Sequence, residues 1–450
     1  MIDLISPTDA IFLLNESREH PMHVGSLQLF EPPEGAGPEF ARSVHQQLLE
    51  SAVTEPTFRK RPGRILGGIS NLTWTYDDEV DLDYHVQRAA LATPGRVREL
   101  LAMTSRLHSG LLDRHRPLWE QHLIEGLDDG RFAVYTKVHH ALIDGVAAQR
   151  LLRRTLTTDP FDTELRAPWN LPKRTRSGAG GERSRAAGVA RTLGKLAPST
   201  VSLIRSALAE QQLTLPFSAP DTIFNVRIGG ARRCAAQSWP LERIRAVKAA
   251  TGATVNDVVL AMCSAALRSY LLDHNALPDT PLIAMVPVSL RTESEADSGG
   301  NIVGTILCNL ATHVSDAAER LEIISASMRE GKRLFAEMPR IQALAVSAVM
   351  VSPLGLASLP GFVSMTRPPF NIVISNVPGP QQPMFYCGAR MDGSYPMSIV
   401  LDGQALNITL SSNADNLDFG IVGCRRSVPH LQRLLAHLEA GLAELEHVTS

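Results

Sequence analysis

The stretch RFAVYTKVHHALIDGVAAQRLLRRTL, residues 131–156, decides how the rest of the chain is read. Residues 132–138 are rich in aromatic and β-branched side chains, which predicts a strand. Residues 146–156 carry apolar side chains at helical spacing, which predicts a helix. His139, His140, Asp144 and Gly145 stand between the two. Adjacent residues of an extended chain point to opposite faces, so the two histidines do not share a substrate: one is chemical, the other structural. An imidazole titrates near neutrality and can take and return a proton at working pH. The stretch has no Ser or Cys to serve as a nucleophile beside it. A base alone suits a reaction whose substrate brings its own nucleophile, such as a hydroxyl attacking an activated acyl group.

Each residue also has a plainer reading. A histidine after a strand is more often structural than catalytic. Asp144 before a helix is by default an N-cap, and Gly145 allows a tight turn. The spacing H-H-x-x-x-D also occurs around metals, but no Cys, His, Asp or Glu cluster nearby offers the remaining ligands.

HHALIDG resembles the HHxxxDG motif of the condensation-domain and chloramphenicol-acetyltransferase-like superfamily. Five further segments narrow the resemblance: SPTDAIFLL (6–14), PMHVG (21–25), PLWE (117–120), NDVVLA (256–261) and NIVISNVPGP (371–380). Together they are similar to the bacterial wax ester synthase/acyl-CoA:diacylglycerol acyltransferase family, of the mycobacterial triacylglycerol synthase type. The resemblance covers nearly the whole chain and implies an α/β protein of two chloramphenicol-acetyltransferase-like subdomains, with a substrate tunnel at their interface.

By the same resemblance His140 is the general base, and the catalytic set of the motif is His140, His139 and Asp144, with His139 the structural one of the two histidines by strand alternation. Asp144 pairs with an arginine of a neighbouring strand, for which Arg291 is the candidate, and holds the loop in shape. Gly145 leaves room for substrate. Asn256 and Asp257 belong to a site motif, with Asn256 the best candidate for an oxyanion donor and water or backbone N–H groups the alternative. The plainer reading of both is a pair of polar residues in the first turn of a helix. The implied reaction moves a long-chain acyl group from acyl-CoA, a co-substrate, to diacylglycerol or a long-chain alcohol, without metal or other cofactor. A condensation-type transferase using a carrier-bound acyl donor is the alternative. A non-catalytic lipid-binding relative is a third class, which the intact motif opposes.

Net charge is −2, which gives no footprint for nucleic acid. The five cysteines, at 234, 263, 308, 387 and 424, form no CxxC pair. That fits a reducing cytosol rather than a disulfide framework. The first residues have no cleavable leader pattern, so the expectation is a cytoplasmic protein in peripheral, reversible contact with membrane or lipid bodies.

In chain order the pattern predicts a helix over 7–15, a strand over 23–30 with a buried His23, and helices over 39–51 and 98–112. His85 is expected to be exposed or half-buried. A strand is expected at 121–125. Residues 1–165 form the first unit, 166–222 a linker and 223–450 the second unit. The linker is marked by Pro160, Pro168, Pro172 and a glycine-rich run at 178–181. Within it a basic helix over 183–212 either lies on an anionic surface or bridges two halves in solvent. The second unit is expected to open with a strand at 224–233. Helices follow at 241–251, 255–273 and 319–338, with strands at 282–290, 302–312, 371–376, 399–401, 405–411 and 417–423. Residues 341–366 carry no charge and are broken by Pro353, Gly355, Pro360 and Gly361. They line an acyl tunnel, dip into lipid, or form plain core. A final leucine-striped helix at 429–448 packs on the body.

Overall fold

The computed structural model describes residues 3–63, 73–171, 218–289, 303–337 and 366–448. The basic segment 183–212, Arg291, and all of 341–366 except Thr366 lie outside the described residues.

The predicted central strand is Phe132–His139, and every one of its residues is buried. Strands buried on both faces read as continuous apolar runs, which is the texture of this segment. It pairs antiparallel with His23–Glu31 on one side and Trp119–Glu125 on the other. His23 stands opposite His139 in that register. Val86–Ala90 adds a parallel edge to Trp119–Glu125. On the other side of His23–Glu31 lies Ala389–Met397, followed by the short strand Phe385–Tyr386. The first six-stranded sheet therefore draws two strands from the C-terminal half of the chain.

The second six-stranded sheet runs in the order Val303–Asn309, Ile283–Ser289, Ile372–Val377, Leu406–Asn413, Asn416–Cys424, Arg232–Pro240. Its centre is parallel and its edges antiparallel. Helices Leu241–Thr251, Val255–Asp273, Ala317–Glu337 and Arg433–Val448 accompany it. Val255–Asp273 is apolar and long enough to cross a membrane, but it is a core helix: Val258 to Leu267 are nearly all buried against the sheet and the last helix. Leu434, Leu438, Leu442 and Leu445 form the buried stripe expected of that last helix.

The sheets meet along Ala389–Met397. The Asp418 carboxylate, on Asn416–Cys424, accepts the Ser394 N–H at 2.7 Å. At Gly420 any Cβ would overlap the Pro396 carbonyl, so only glycine permits this approach of two backbones. One apolar core consequently runs from Leu27 and Tyr135 of the first sheet to Phe419 and Leu442 of the second.

Three expectations are corrected. The segment 224–231 is irregular, and the strand it was expected to form is Arg232–Pro240, after the Gly229–Gly230 pair. Residues 399–401 contribute only an isolated bridge from Leu401 to Gln404. His85 is fully buried: its Nδ1 faces the Trp119 carbonyl at 2.7 Å and its ring stacks on Trp119 at 4.4 Å. A histidine among acidic neighbours reads as solvated, but the flat Trp119 face offers it cover that sequence spacing does not reveal.

Candidate active site

Thr136 and Val138, alternate residues of the central strand, face a cavity of about 310 Å³ between the two sheets. Lys137 and His139 belong to the other face; the strand ends at His139, and His140 opens the turn that follows. Two backbone contacts hold the end of the strand. The His140 N–H donates to the Met22 carbonyl at 2.8 Å, and the His139 N–H to Leu118 at 2.9 Å. Beyond them the chain turns into helix Gly145–Arg153.

The His140 ring is half-buried and lies face to face with Phe12, with centroids 4.1 Å apart and planes 21° apart. Burial pushes its pKa down to about 4; Asp144 and the ring's own backbone carbonyl oppose that shift, and His139 adds to it. The imidazole is therefore neutral at physiological pH and able to accept a proton.

His139 is fully enclosed and is held differently. Its Nδ1 accepts the Ala141 N–H at 3.1 Å, which leaves the proton on Nε2. Nε2 lies 3.3 Å from Glu16, off the line of a well-formed hydrogen bond. Glu16 in turn accepts from Arg114 at 2.9 Å and from the Met22 N–H at 3.3 Å. Burial opposes the ionisation of Glu16, but His139 and Arg114 outweigh it and hold the carboxyl below its ordinary range. On the same face Lys137, 2% exposed, meets Glu120 at 3.0 Å and the carbonyls of Leu107 and Gly110 at 3.2 Å each. The two histidines are thus held differently, His139 enclosed in an ionic network and His140 half-buried against Phe12; the cavity lining includes Asp144 but not His140.

Asp144 caps helix Gly145–Arg153, its Oδ1 accepting the Ala147 N–H at 2.7 Å, and it is exposed. Arg291, its expected partner, lies outside the described residues. Gly145 lines the cavity, and a Cβ built on it would meet no atom within 4 Å. Its φ is not in the left-handed region, so room rather than backbone conformation accounts for glycine here. Asn256 and Asp257 sit in the first turn of Val255–Asp273, and neither lines the cavity. Asp257 completes a capping box: Thr254 N–H donates to its carboxylate at 2.9 Å, and its own N–H donates to Thr254 Oγ1 at 3.2 Å.

The cavity wall is mostly apolar, with Val24, Phe58, Val146, Leu151, Leu152 and Met397, and is interrupted by hydroxyls of Ser26, Thr136, Ser375 and Thr409. Ser26 is 2% exposed, and its Oγ has no hydrogen-bond partner among the described residues. His23 is buried as expected and only half satisfied: Nε2 faces the His108 carbonyl at 3.0 Å, and Nδ1 has no partner. Among the described residues no three His, Cys, Asp or Glu side chains gather as a metal site.

Phe12, Glu16 and Arg114 escaped the sequence reading. Phe12 lies inside the SPTDAIFLL segment, so the motif itself was the available signal. Glu16, two residues beyond that motif, reads as a solvated helix end until Arg114 is brought against it.

The family model for the wax ester synthase/diacylglycerol acyltransferase catalytic domain matches residues 5–259. The chain belongs to this family. Its C-terminal domain model matches residues 299–446. Among relatives, the probable diacylglycerol O-acyltransferase tgs2 of Mycobacterium tuberculosis is 63% identical over 99% of both chains. The O-acyltransferase WSD of Acinetobacter baylyi is 41% identical over 99% of this chain and 97% of its own. Among solved structures, the wax ester synthase/diacylglycerol acyltransferase from Marinobacter aquaeolei VT8 superimposes with a TM-score of 0.79, 42% identity and 99% coverage of each chain. The first condensation domain of the CDA synthetase, at 16% identity and a TM-score of 0.57 over 100% of this chain and 96% of its own, shares the two-subdomain fold.

In a member of this family the separate motifs become one construction. SPTDAIFLL supplies the Phe12 ring, PMHVG the Met22 carbonyl, and PLWE the buried Trp119 and Glu120. NIVISNVPGP supplies strand Ile372–Val377, whose Ser375 and Val377 close the far wall of the cavity. NDVVLA instead starts a core helix.

Proposed function

We infer that this protein is an O-acyltransferase that moves a long-chain acyl group from acyl-CoA to the hydroxyl of diacylglycerol or a long-chain alcohol, making triacylglycerol or wax ester. The observation that carries the reading is His140, neutral and half-buried, just past the end of the strand whose Thr136 and Val138 line an apolar cavity. Full-length relatives named as O-acyltransferases support it and leave the carrier-protein alternative without support.

His140 takes the proton of the acceptor hydroxyl as that oxygen attacks the thioester carbonyl. The C–O bond forms, the tetrahedral oxyanion collapses, the C–S bond breaks, and the imidazolium returns its proton to the departing thiolate. Base catalysis of this kind contributes about 10²–10⁴ in rate. Holding both substrates in place supplies much of the remainder. We assign oxyanion stabilisation to backbone N–H groups at the start of Gly145–Arg153, where Gly145 and Val146 line the cavity, because Asn256 does not. Asp144 fixes that helix start; His139 is structural.

Contact with lipid belongs to the same reading, since both acceptors reside there. Helix Pro7–Asn15 turns Ile11 and Leu14 outward, 48% and 66% exposed, beside Leu4 at 71%. This apolar face supports peripheral, reversible binding from the cytoplasmic side. The deciding experiment is thiol release from acyl-CoA by purified protein, offered diacylglycerol, a long-chain alcohol or no acceptor. Acceptor-dependent release that disappears in His140→Ala, with the melting temperature unchanged, is the expected result. Equal release by wild type and His140→Ala would sink the assignment.

A further inference from the structure

We propose that Phe12 is a positioning residue of the acyl transfer: its ring is a platform that sets the plane of the His140 imidazole and keeps one of its faces away from water. The proposal rests on His140 being the base and adds the element that holds it.

A catalytic base is usually oriented by a third group hydrogen-bonded to its far nitrogen. Among the described residues no other side chain hydrogen-bonds the His140 ring. Asp144, the nearest candidate in sequence, spends Oδ1 on the Ala147 N–H and is exposed. The close, near-parallel contact at 4.1 Å is the ring's one aromatic contact among the described residues. Stacked aromatic pairs are favourable beyond simple burial, which favours one ring orientation over its rotamers.

The platform is itself fixed. Ser6 caps helix Pro7–Asn15 by accepting the Asp9 N–H at 3.1 Å. Ala10 and Leu13 are buried with Trp74 and Leu118, and Phe12 packs against that cluster. Glu16, one turn beyond Phe12, is held by Arg114 and lies against His139. One helix end therefore touches both histidines, and the spacing between Phe12 and Glu16 ties the platform to the strand that carries the base.

The charged and titratable groups around the base are Asp144 and His139 from its own loop, Asp9 and Glu16 from the helix side, and Arg114 behind Glu16. The Phe12 ring contributes no charge, so its removal acts by admitting water. Burial is the largest cause of the lowered His140 pKa, and admitting water raises it towards the ordinary value.

The test is the pH profile of kcat/KM for Phe12→Ala, Phe12→Leu, Phe12→Tyr and His140→Ala. In wild type the acid limb follows His140, near pH 4. In Phe12→Ala it moves towards about 6.5; a complete return lowers the rate at pH 5 roughly 30-fold relative to wild type. Phe12→Leu keeps the apolar volume but loses the flat face, so it folds and loses kcat on the plateau. Phe12→Tyr keeps the ring and restores both profile and kcat. An acid limb in Phe12→Ala that superimposes on wild type overturns the proposal, as does full kcat in Phe12→Leu. An active His140→Ala strikes instead at the base itself, which separates the two failures.

Discussion

Replacing Glu16 by alanine tests the idea that a buried ionic network, rather than the catalytic loop alone, holds the two histidines. The carboxylate is 2% exposed and meets Arg114, His139 and the Met22 N–H. Its removal leaves the buried Met22 N–H unpaired, at about 1–3 kcal/mol, and takes from His139 Nε2 the carboxylate 3.3 Å away. Arg114 keeps the Leu13 carbonyl at 2.6 Å and is 32% exposed, so its loss is discounted. Removing one partner of a buried ion pair costs about 3–5 kcal/mol, which sets the expected scale. Unfolding entropy of about 2.1 cal/mol/K per residue converts this to about 1 °C per kcal/mol in a chain of this size. Glu16→Ala should therefore melt about 3–5 °C lower at pH 7. Because the Met22 carbonyl also holds the His140 N–H, a displacement there should lower kcat, by up to about 100-fold if it reaches 1 Å. The sign of the pH dependence follows from the depressed carboxyl. Its stabilisation is present above the unfolded carboxylate pKa and is lost as pH falls through the lower folded value, so the gap between wild type and variant should close in acid. Thermal melts across pH, with turnover at neutral pH, make the measurement. A variant within 1 °C of wild type and equally active would refute the reasoning.

Gly145→Ala should raise the melting temperature slightly, since alanine gains up to about 1 kcal/mol in a helix where φ permits it. The same change should lower kcat/KM, because the new methyl enters the cavity; a thermal melt beside a turnover assay reads both. Asp418→Asn should flatten the pH dependence of stability. Burial raises the Asp418 carboxyl to about 7, so its stabilisation is complete below the unfolded value and is lost as pH rises through 7. Wild type should then lose stability between about pH 4 and 7 and level off above that, while the variant does not; melts across that range make the measurement.

Most of the fold was legible because its elements carry their own periodicity. Leu241–Thr251 and Val255–Asp273 match their expected bounds, and Thr254 caps the second as its side chain requires. That His139 and His140 have different surroundings was expected from strand alternation, yet the strand ends at His139 and the end of one helix meets both rings, His140 through Phe12 and His139 through Glu16. The strand Ala389–Met397 did not stand out, since Gly393 and Pro396 interrupt ARMDGSYPM and a proline inside a run argues against a strand. Its pairing with His23–Glu31, hundreds of residues earlier, is a property of topology that no local pattern encodes. The expected role for Asn256 came from a motif whose residues build a helix start, a place where site and scaffold look alike in sequence.

The strand Ala389–Met397 also bears on ancestry and on engineering. A hybrid of two relatives joined at the central linker would give each first sheet a foreign strand, laid between its own His23–Glu31 and the recipient's Asn416–Cys424. An N-terminal half made alone would leave His23–Glu31 as a bare edge, inviting association with other chains. The halves are thus a single inheritance, and exchange between relatives succeeds only where residues 385–397 travel with the N-terminal sheet.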